Sequence, residues 1–274
     1  MSPPMNPLGV SHPRLHYRLE QPAAGVAPRP TVMLGHALGC DLRMWDDLTA
    51  HLLAQGHPVL RYDQRGHGGS NTPAGPYTLA ELADDAARLI DELGVGPVIW
   101  IGLSMGGMVG QELALRHQGQ VTALVLANTT SGYPAEAQAG WAQRIAGIRQ
   151  GGLDAIVDGA LQRWFHDAYR AAHPEVVALW RSRVLACREA GYIACCEAIS
   201  QVDTTERLHR ITQPTLVIAG ALDAGTPPAM AQAIAARIPG AQLTVLPEAS
   251  HLSVLEQPRA FSACVDDWLA RLPS

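Results

Sequence analysis

Ser104, Asp223 and His251 are residue types that, once brought together, turn a hydroxyl into a nucleophile. Ser104 stands in Gly102-Leu103-Ser104-Met105-Gly106, which fits G-x-S-x-G. The segment follows the apolar run "VIWIGLS" and precedes the helix-like "MGGMVGQELALRH". In that context it reads as a sharp strand-to-helix turn that displays Ser104 Oγ. The flanking glycines leave room where side chains would strike the neighbouring strand and helix. The turn also aims a helix N-terminus at the place where negative charge would develop. The competing reading is a surface Gly-Ser-Gly loop.

A serine hydroxyl is a poor nucleophile near neutral pH, so it needs a base, and the base needs an orienting acid. With this kind of turn the chain order is nucleophile, acid, histidine. His251, in "PEASHLSVLEQP", lies just beyond the last expected strand and is the candidate base. His117, His166, His173 and His209 fall in or beside helix patterns and read as surface residues. Asp223, in "TLVIAGALDAGTPP", follows a strand and is the preferred acid; Glu248, nearer to His251 in the chain, is its rival. The segment "ANTTSG" ends another strand and offers no carboxylate. For an oxyanion, one donor is the backbone N–H of Met105. The second is that of Leu38 in "GHALGCDLRMW", with Gly39 closing the turn. His36 precedes the serine and reads as a loop brace.

These residues need a scaffold. Short aliphatic runs at 31–36, 58–63, 98–104, 123–128, 215–220 and 243–248 read as strands covered on both faces. Helix patterns separate them. In "TLAELADDAARLIDELG" (78–94), Thr78 and Glu81 form a capping box and Gly94 supplies the stop. This alternation predicts an α/β chain with a mostly parallel twisted sheet and helices on both faces. Between 132 and 210 the helix patterns run on without a strand, in the stretches 135–150, 153–172, 174–191 and 192–202. The expected organisation is a core of 1–131 and 211–274 with 132–210 as an all-helical lid over the sheet's C-terminal edge. The Pro-rich stretch near 21–30 reads as an early hairpin or loop.

The chain has 274 residues, enough for one large domain with an insertion. Its formal net charge of -5 argues against nucleic-acid binding as the main task. Five scattered cysteines without a C-x-x-C motif suggest a reduced, cytoplasmic setting. The N-terminus carries no signal-peptide pattern, and no apolar stretch approaches the roughly 20 residues that span a bilayer. No H-E-x-x-H, no paired Cys/His spacing and no G-x-G-x-x-G after the first strand is present. Neither a metal nor a dinucleotide cofactor is therefore expected.

The motifs "LGCDLRMWDDL", "VLRYDQRGHGGS", "GPYTLAELADD", "GLSMGGMVGQ", "LVLANTT", "PTLVIAGALDAGTPP" and "ASHLSVLEQP" resemble the α/β-hydrolase superfamily over nearly the whole chain. More narrowly they resemble 3-oxoadipate enol-lactonases and related small bacterial esterases. The resemblance places nucleophile, acid and base on Ser104, Asp223 and His251. Asp63, Arg65 and His67 in "DQRGHG" then look like loop braces. The lactonases often carry a polar Asn-Ser pair where this chain has "GHALG", which leaves the substrate open. In the lactonase reading a cation under the lid takes the substrate's free carboxylate. Arg144, one turn after Trp141, is the candidate, against a solvated surface arginine. Trp141 and Trp164 either line the pocket or pack between lid helices.

The expected activity is cofactor-free hydrolysis of a small ester or lactone, with 3-oxoadipate enol-lactone first and general carboxylester hydrolysis or perhydrolysis next. A serine at the turn argues against dehalogenase and epoxide hydrolase chemistry, which want a carboxylate there. A non-catalytic ligand-binding member of the fold is the alternative class. Nothing in the sequence bears on oligomeric state.

Overall fold

The computed structural model describes residues 12–272, apart from positions 26 and 28. In chain order the first elements are β1 (Tyr17–Glu20), β2 (Val32–Gly35), α1 (Asp46–Ala54), β3 (Val59–Tyr62), α2 (Leu79–Leu93), β4 (Val98–Leu103), α3 (Met105–Arg116) and β5 (Val121–Ala127). Next come α4 (Ala135–Gly151), α5 (Asp154–Trp164), α6 (Asp167–Ala172), α7 (Pro174–Leu185) and α8 (Glu189–Ser200). The chain closes with β6 (Thr215–Gly220), α9 (Pro228–Ala235), β7 (Gln242–Leu246), α10 (Ser253–Glu256) and α11 (Pro258–Leu269).

The strands form one seven-stranded sheet in the order β1-β3-β2-β4-β5-β6-β7. Only β1 runs antiparallel, against β3; the other pairings are parallel. Every residue of β2, β3, β4 and β6 is buried, as strands covered on both faces require; the one charge among them, Arg61 of β3, pairs with Glu20 and Asp46. β1 has no counterpart among the expected runs. It is four residues long and partly exposed, and a short edge strand carries little hydrophobic signal.

The order of strands decides where a site can form. From β2 the chain passes through α1 to β3 on one side, whereas from β4 it passes through α3 to β5 on the other. Crossovers are right-handed, so α1 and α3 lie on opposite faces of the sheet. The loops after β2 and β4, which are neighbours, therefore diverge and open a crevice at the C-terminal edge. Leu38 and Ser104 sit on those two loops.

Local rules hold where they are strong. Thr78 accepts the Glu81 N–H, the Glu81 carboxylate accepts the Thr78 N–H, and Gly94 ends α2 in the left-handed conformation at φ 59°. The helical pattern of 153–172, by contrast, divides into α5 and α6. Phe165 turns extended at φ -127°, ψ 132°. Its ring is buried and stacks on Tyr169 with centroids 5.3 Å apart, while His166 caps α6. Burial of the phenyl group outweighs continuation of the helix.

The helices α4–α8 leave and return at one place. Gly132 pairs with Asp203 in an antiparallel bridge, and the Thr204 N–H donates to the Ser131 carbonyl at 2.8 Å. Among the described residues no helix is long and apolar enough to cross a membrane, and none of the five cysteines is in a disulfide.

Candidate active site

The bend between β4 and α3 is tight because two glycines let it be. A Cβ on Gly106 would strike the Gly35 carbonyl, and one on Gly102 would strike the Gly106 carbonyl. Ser104 itself holds φ 55°, ψ -114°. For a residue with a Cβ that conformation costs on the order of 1–3 kcal/mol. The Ser104 N–H donates to Ala127 at 2.9 Å, and the Thr129 hydroxyl donates to the Ser104 carbonyl at 2.7 Å. These bonds from β5 and the segment beyond it hold the strained turn.

His251 lies between β7 and α10, and its Nε2 accepts the Ser104 hydroxyl at 2.9 Å. On the far side of the ring, Nδ1–H donates to Asp223 Oδ2 at 2.9 Å. A carboxylate can only accept here, which assigns the proton to Nδ1 and leaves Nε2 free to act as a base. Glu248, the rival acid, is exposed, and its carbonyl accepts from Gln257 at 3.3 Å.

Asp223 is held on both oxygens. Oδ1 accepts the Gly225 and Thr226 N–H groups at 2.8 and 2.9 Å. Oδ2 accepts the Thr226 hydroxyl at 2.7 Å and the Asn128 amide at 3.0 Å besides His251. Burial pushes the carboxyl pKa up, but the charge and hydrogen bond of His251, the Thr226 N–H and the Asn128 amide outweigh it and hold it below its ordinary value. Asn128 and Thr226 are parts of the site that the sequence reading missed. The signal for Asn128 was a polar residue directly after a buried strand at the sheet's C-terminal edge.

His251 is anchored through its neighbours. Glu256 of α10, with a fully buried side chain, accepts the Ser250 N–H on one oxygen and the His166 N–H on the other, at 2.9 Å for the latter. It thus ties the His251 loop to the junction of α5 and α6. The Leu252 N–H adds a bond to the Trp164 carbonyl at 3.1 Å.

Leu38 lies on the loop after β2 and Met105 is the first residue of α3, and neither backbone N–H donates to an acceptor among the described residues. The Leu38 turn is braced by two buried imidazoles. His36 Nδ1–H donates to Ala37 and its Nε2 accepts the Gln64 N–H, both at 2.8 Å. His67 Nε2 accepts the Gly39 N–H at 3.0 Å. Burial lowers both pKa values, that of His67 to about 3, so both rings are neutral acceptors. Asp63 accepts the Leu42 and Gly69 N–H groups at 2.8 Å, and Arg65 pairs with Asp85 at 2.6 Å. These residues brace loops and stand outside the serine relay.

Ser104 and His251 open into a cavity of about 610 Å³. Residues of α4, α5 and α8 cover it, including Trp141, Arg144, Arg163, Trp164 and Tyr192. Trp141 and Trp164 both line it. The Arg144 guanidinium lies over the Trp141 ring, 4.4 Å from its centroid. Trp164 is buried, with its ring edge packed against Gly39. Of the other histidines, His117 is held by Asp84 at 2.7 Å, and His173 and His209 are exposed.

Residues 30–258 match the sequence profile of the α/β hydrolase fold. The chain belongs to the α/β-hydrolase family. It is 38% identical to 3-oxoadipate enol-lactonase 2 of Acinetobacter baylyi over 247 residues, which cover 90% of this chain and 91% of that one. The crystal structure of the enol-lactonase from Burkholderia xenovorans superposes with a TM-score of 0.88 at 37% identity, covering 94% of this chain and 96% of the other. A malate-bound thermophilic esterase from Thermogutta terrifontis gives a TM-score of 0.85 at 30% identity, covering 94% of each chain. This α/β hydrolase therefore stands among lactone and ester hydrolases.

Proposed function

We propose that this α/β hydrolase is a serine hydrolase that opens a small lactone or ester bearing a free carboxylate, with 3-oxoadipate enol-lactone as its substrate. The observation that carries the reading is the unbroken relay Ser104–His251–Asp223, with both links at 2.9 Å, at the floor of a cavity lined by Arg144. The enol-lactonases at 37% and 38% identity support the substrate. The related esterase with malate bound supports a carboxylate-bearing ligand.

In this mechanism Ser104 Oγ attacks the lactone carbonyl while His251 Nε2 takes its proton. The oxyanion is met by the N–H groups of Met105 and Leu38. His251 returns the proton to the ring oxygen as the C–O bond breaks, and the leaving group stays tethered through the acyl chain. Water, deprotonated by His251, then attacks the acyl-enzyme and releases a carboxylate and Ser104. Asp223 keeps the proton on Nδ1 and stabilises the imidazolium formed in each half. Every proton moves between groups of the chain, substrate and water, so no cofactor is called for. The segment 132–210 acts as the lid that screens this chemistry, and Arg144 receives the free carboxylate.

The test is turnover of 3-oxoadipate enol-lactone and p-nitrophenyl acetate by the wild type and Ser104→Ala, together with fluorophosphonate labelling. The reading predicts turnover of both and a covalent adduct on Ser104. Equal rates in the two proteins, or an adduct elsewhere, would refute it.

A further inference from the structure

A cavity wall of one sign needs a ligand of the other. The chain carries a net charge of -5, yet among the described residues lining the cavity none is an aspartate or glutamate and two are arginines, Arg144 and Arg163. Several other arginines meet carboxylates, as Arg61 does Glu20, Arg65 Asp85, Arg116 Asp84 and Arg207 Glu112, whereas Arg183, set over the Trp180 ring, does not. Among the described residues the guanidinium groups of Arg144 and Arg163 have no such partner and make no hydrogen bond. Arg144 rests on Trp141, and the Arg163 side chain lies along its own helix, near Gly159.

The two side chains come from adjacent helices. Gly147 of α4 would need only an ordinary van der Waals contact, at 3.6 Å, to meet Ile156 of α5 with a Cβ. Arg144 stands one turn before Gly147, and Arg163 one turn after Gly159; both glycines line the cavity. Small residues at those points let the helices approach and leave the guanidinium groups free to reach inward. Tyr192 of α8 borders the same space and feels the charge of both arginines.

We propose that Arg163 is the second half of the carboxylate-recognising site, so that the cavity selects anionic acyl compounds with a guanidinium pair. This rests on the reading that the cavity takes a carboxylate-bearing ester or lactone, and it adds a specificity-determining residue to Arg144. Burial, and then the nearby Arg144, pull the Arg163 guanidinium below its ordinary pKa. Both arginines are half-buried on the wall of one cavity, and an incoming carboxylate offsets the repulsion between their like charges. A guanidinium offers a planar fork of donors that matches a carboxylate, which a lone ammonium does not. Hydrolysis turns one carboxylate into two, so the products are dicarboxylates. Succinate and adipate therefore bind competitively, and more tightly than butyrate.

The experiment compares p-nitrophenyl hemisuccinate with p-nitrophenyl butyrate, esters of similar length that differ in the free carboxylate. Wild type, Arg144→Gln, Arg163→Gln and Arg163→Lys are assayed, and succinate inhibition is measured for each. In Arg163→Gln the ratio of kcat/KM for the anionic over the neutral ester falls roughly 10- to 100-fold, through KM, and succinate inhibition weakens in parallel. Arg163→Lys keeps the charge but not the fork and retains an intermediate ratio, which also guards against a misfolded glutamine variant. If Arg163→Gln slows both esters equally, or leaves the ratio unchanged while Arg144→Gln lowers it, the role of Arg163 is refuted and the carboxylate reading stands. If the wild type shows no preference for the anionic ester, both fall together.

Discussion

The Asn128 side-chain amide donates to Asp223 Oδ2 at 3.0 Å across 95 residues of chain. The same nitrogen donates to the Ser250 carbonyl at 2.9 Å, and its Oδ1 accepts the Ser253 hydroxyl at 2.6 Å. One amide therefore joins the Asp223 loop to the His251 loop. Asn128 holds φ 45°, a conformation that asparagine tolerates better than most residues. Asn128→Ala is expected to lower stability by about 2 kcal/mol, since buried partners lose their bonds. It should also reduce kcat for ester hydrolysis by about tenfold, one decade being about 1.4 kcal/mol. Urea unfolding and steady-state kinetics on the same preparation check both. An unchanged kcat would remove Asn128 from the positioning of Asp223.

Asp223→Asn tests the orienting carboxylate directly. An amide in place of Oδ2 can donate to Nδ1 and favours the tautomer with the proton on Nε2, where it blocks the base. In serine protease triads this change costs about 10⁴-fold in kcat, and a loss of similar order is expected here. Retention of activity within a factor of ten would reassign the acid.

The serine turn should tolerate no side chain at Gly106. A Cβ there meets the Gly35 backbone, which cannot swing aside. Gly106→Ala is expected to destabilise the fold by more than about 3 kcal/mol, or to prevent soluble expression. At Gly119 nothing lies within 4 Å, so Gly119→Ala should stay within about 0.5 kcal/mol of the wild type. Equal midpoints for the two variants would contradict the packing described.

His36 and His67 make stability depend on pH in a defined direction. Burial depresses both pKa values, that of His67 to about 3, below the ordinary 6.5 of the unfolded chain. Above pH 6.5 both states are neutral and the stability is fully present. As pH falls below 6.5 the unfolded chain binds protons that the native rings refuse, so stability declines, for His67 until pH nears 3. The slope is up to about 1.4 kcal/mol per pH unit for each ring. Asp223, depressed below its ordinary 3.8, adds its own loss when pH falls through its folded value. Urea midpoints at pH 7.5 and 5.0 should therefore drop for the wild type and drop less for His67→Gln. A pH-independent midpoint would show that the rings are protonated in the native state.

What the sequence determined by itself is whatever neighbours in the chain decide. The aliphatic runs of β2–β7, the capping box of Thr78 and Glu81, the stop at Gly94 and the glycines around Ser104 act over a few residues, and each was legible there. β1 was not, because a short, half-exposed edge strand takes its order from the β3 ladder rather than from its own pattern. The break at Phe165 was not, because the ring's burial is settled by what surrounds it.

Only the tertiary structure decided which polar groups meet. Ser104 and His251 are 147 residues apart, and the choice of Asp223 over Glu248 depends on which loop the β6–β7 pairing brings to Nδ1. Asn128 looked like the end of a strand without a useful carboxylate, and nothing in the sequence singled out Arg163. Their partners, or the lack of them, exist only once the sheet and the helices over it have packed. Hydrogen bonds and charges act over a few ångströms of space, and the chain's own order does not measure that distance.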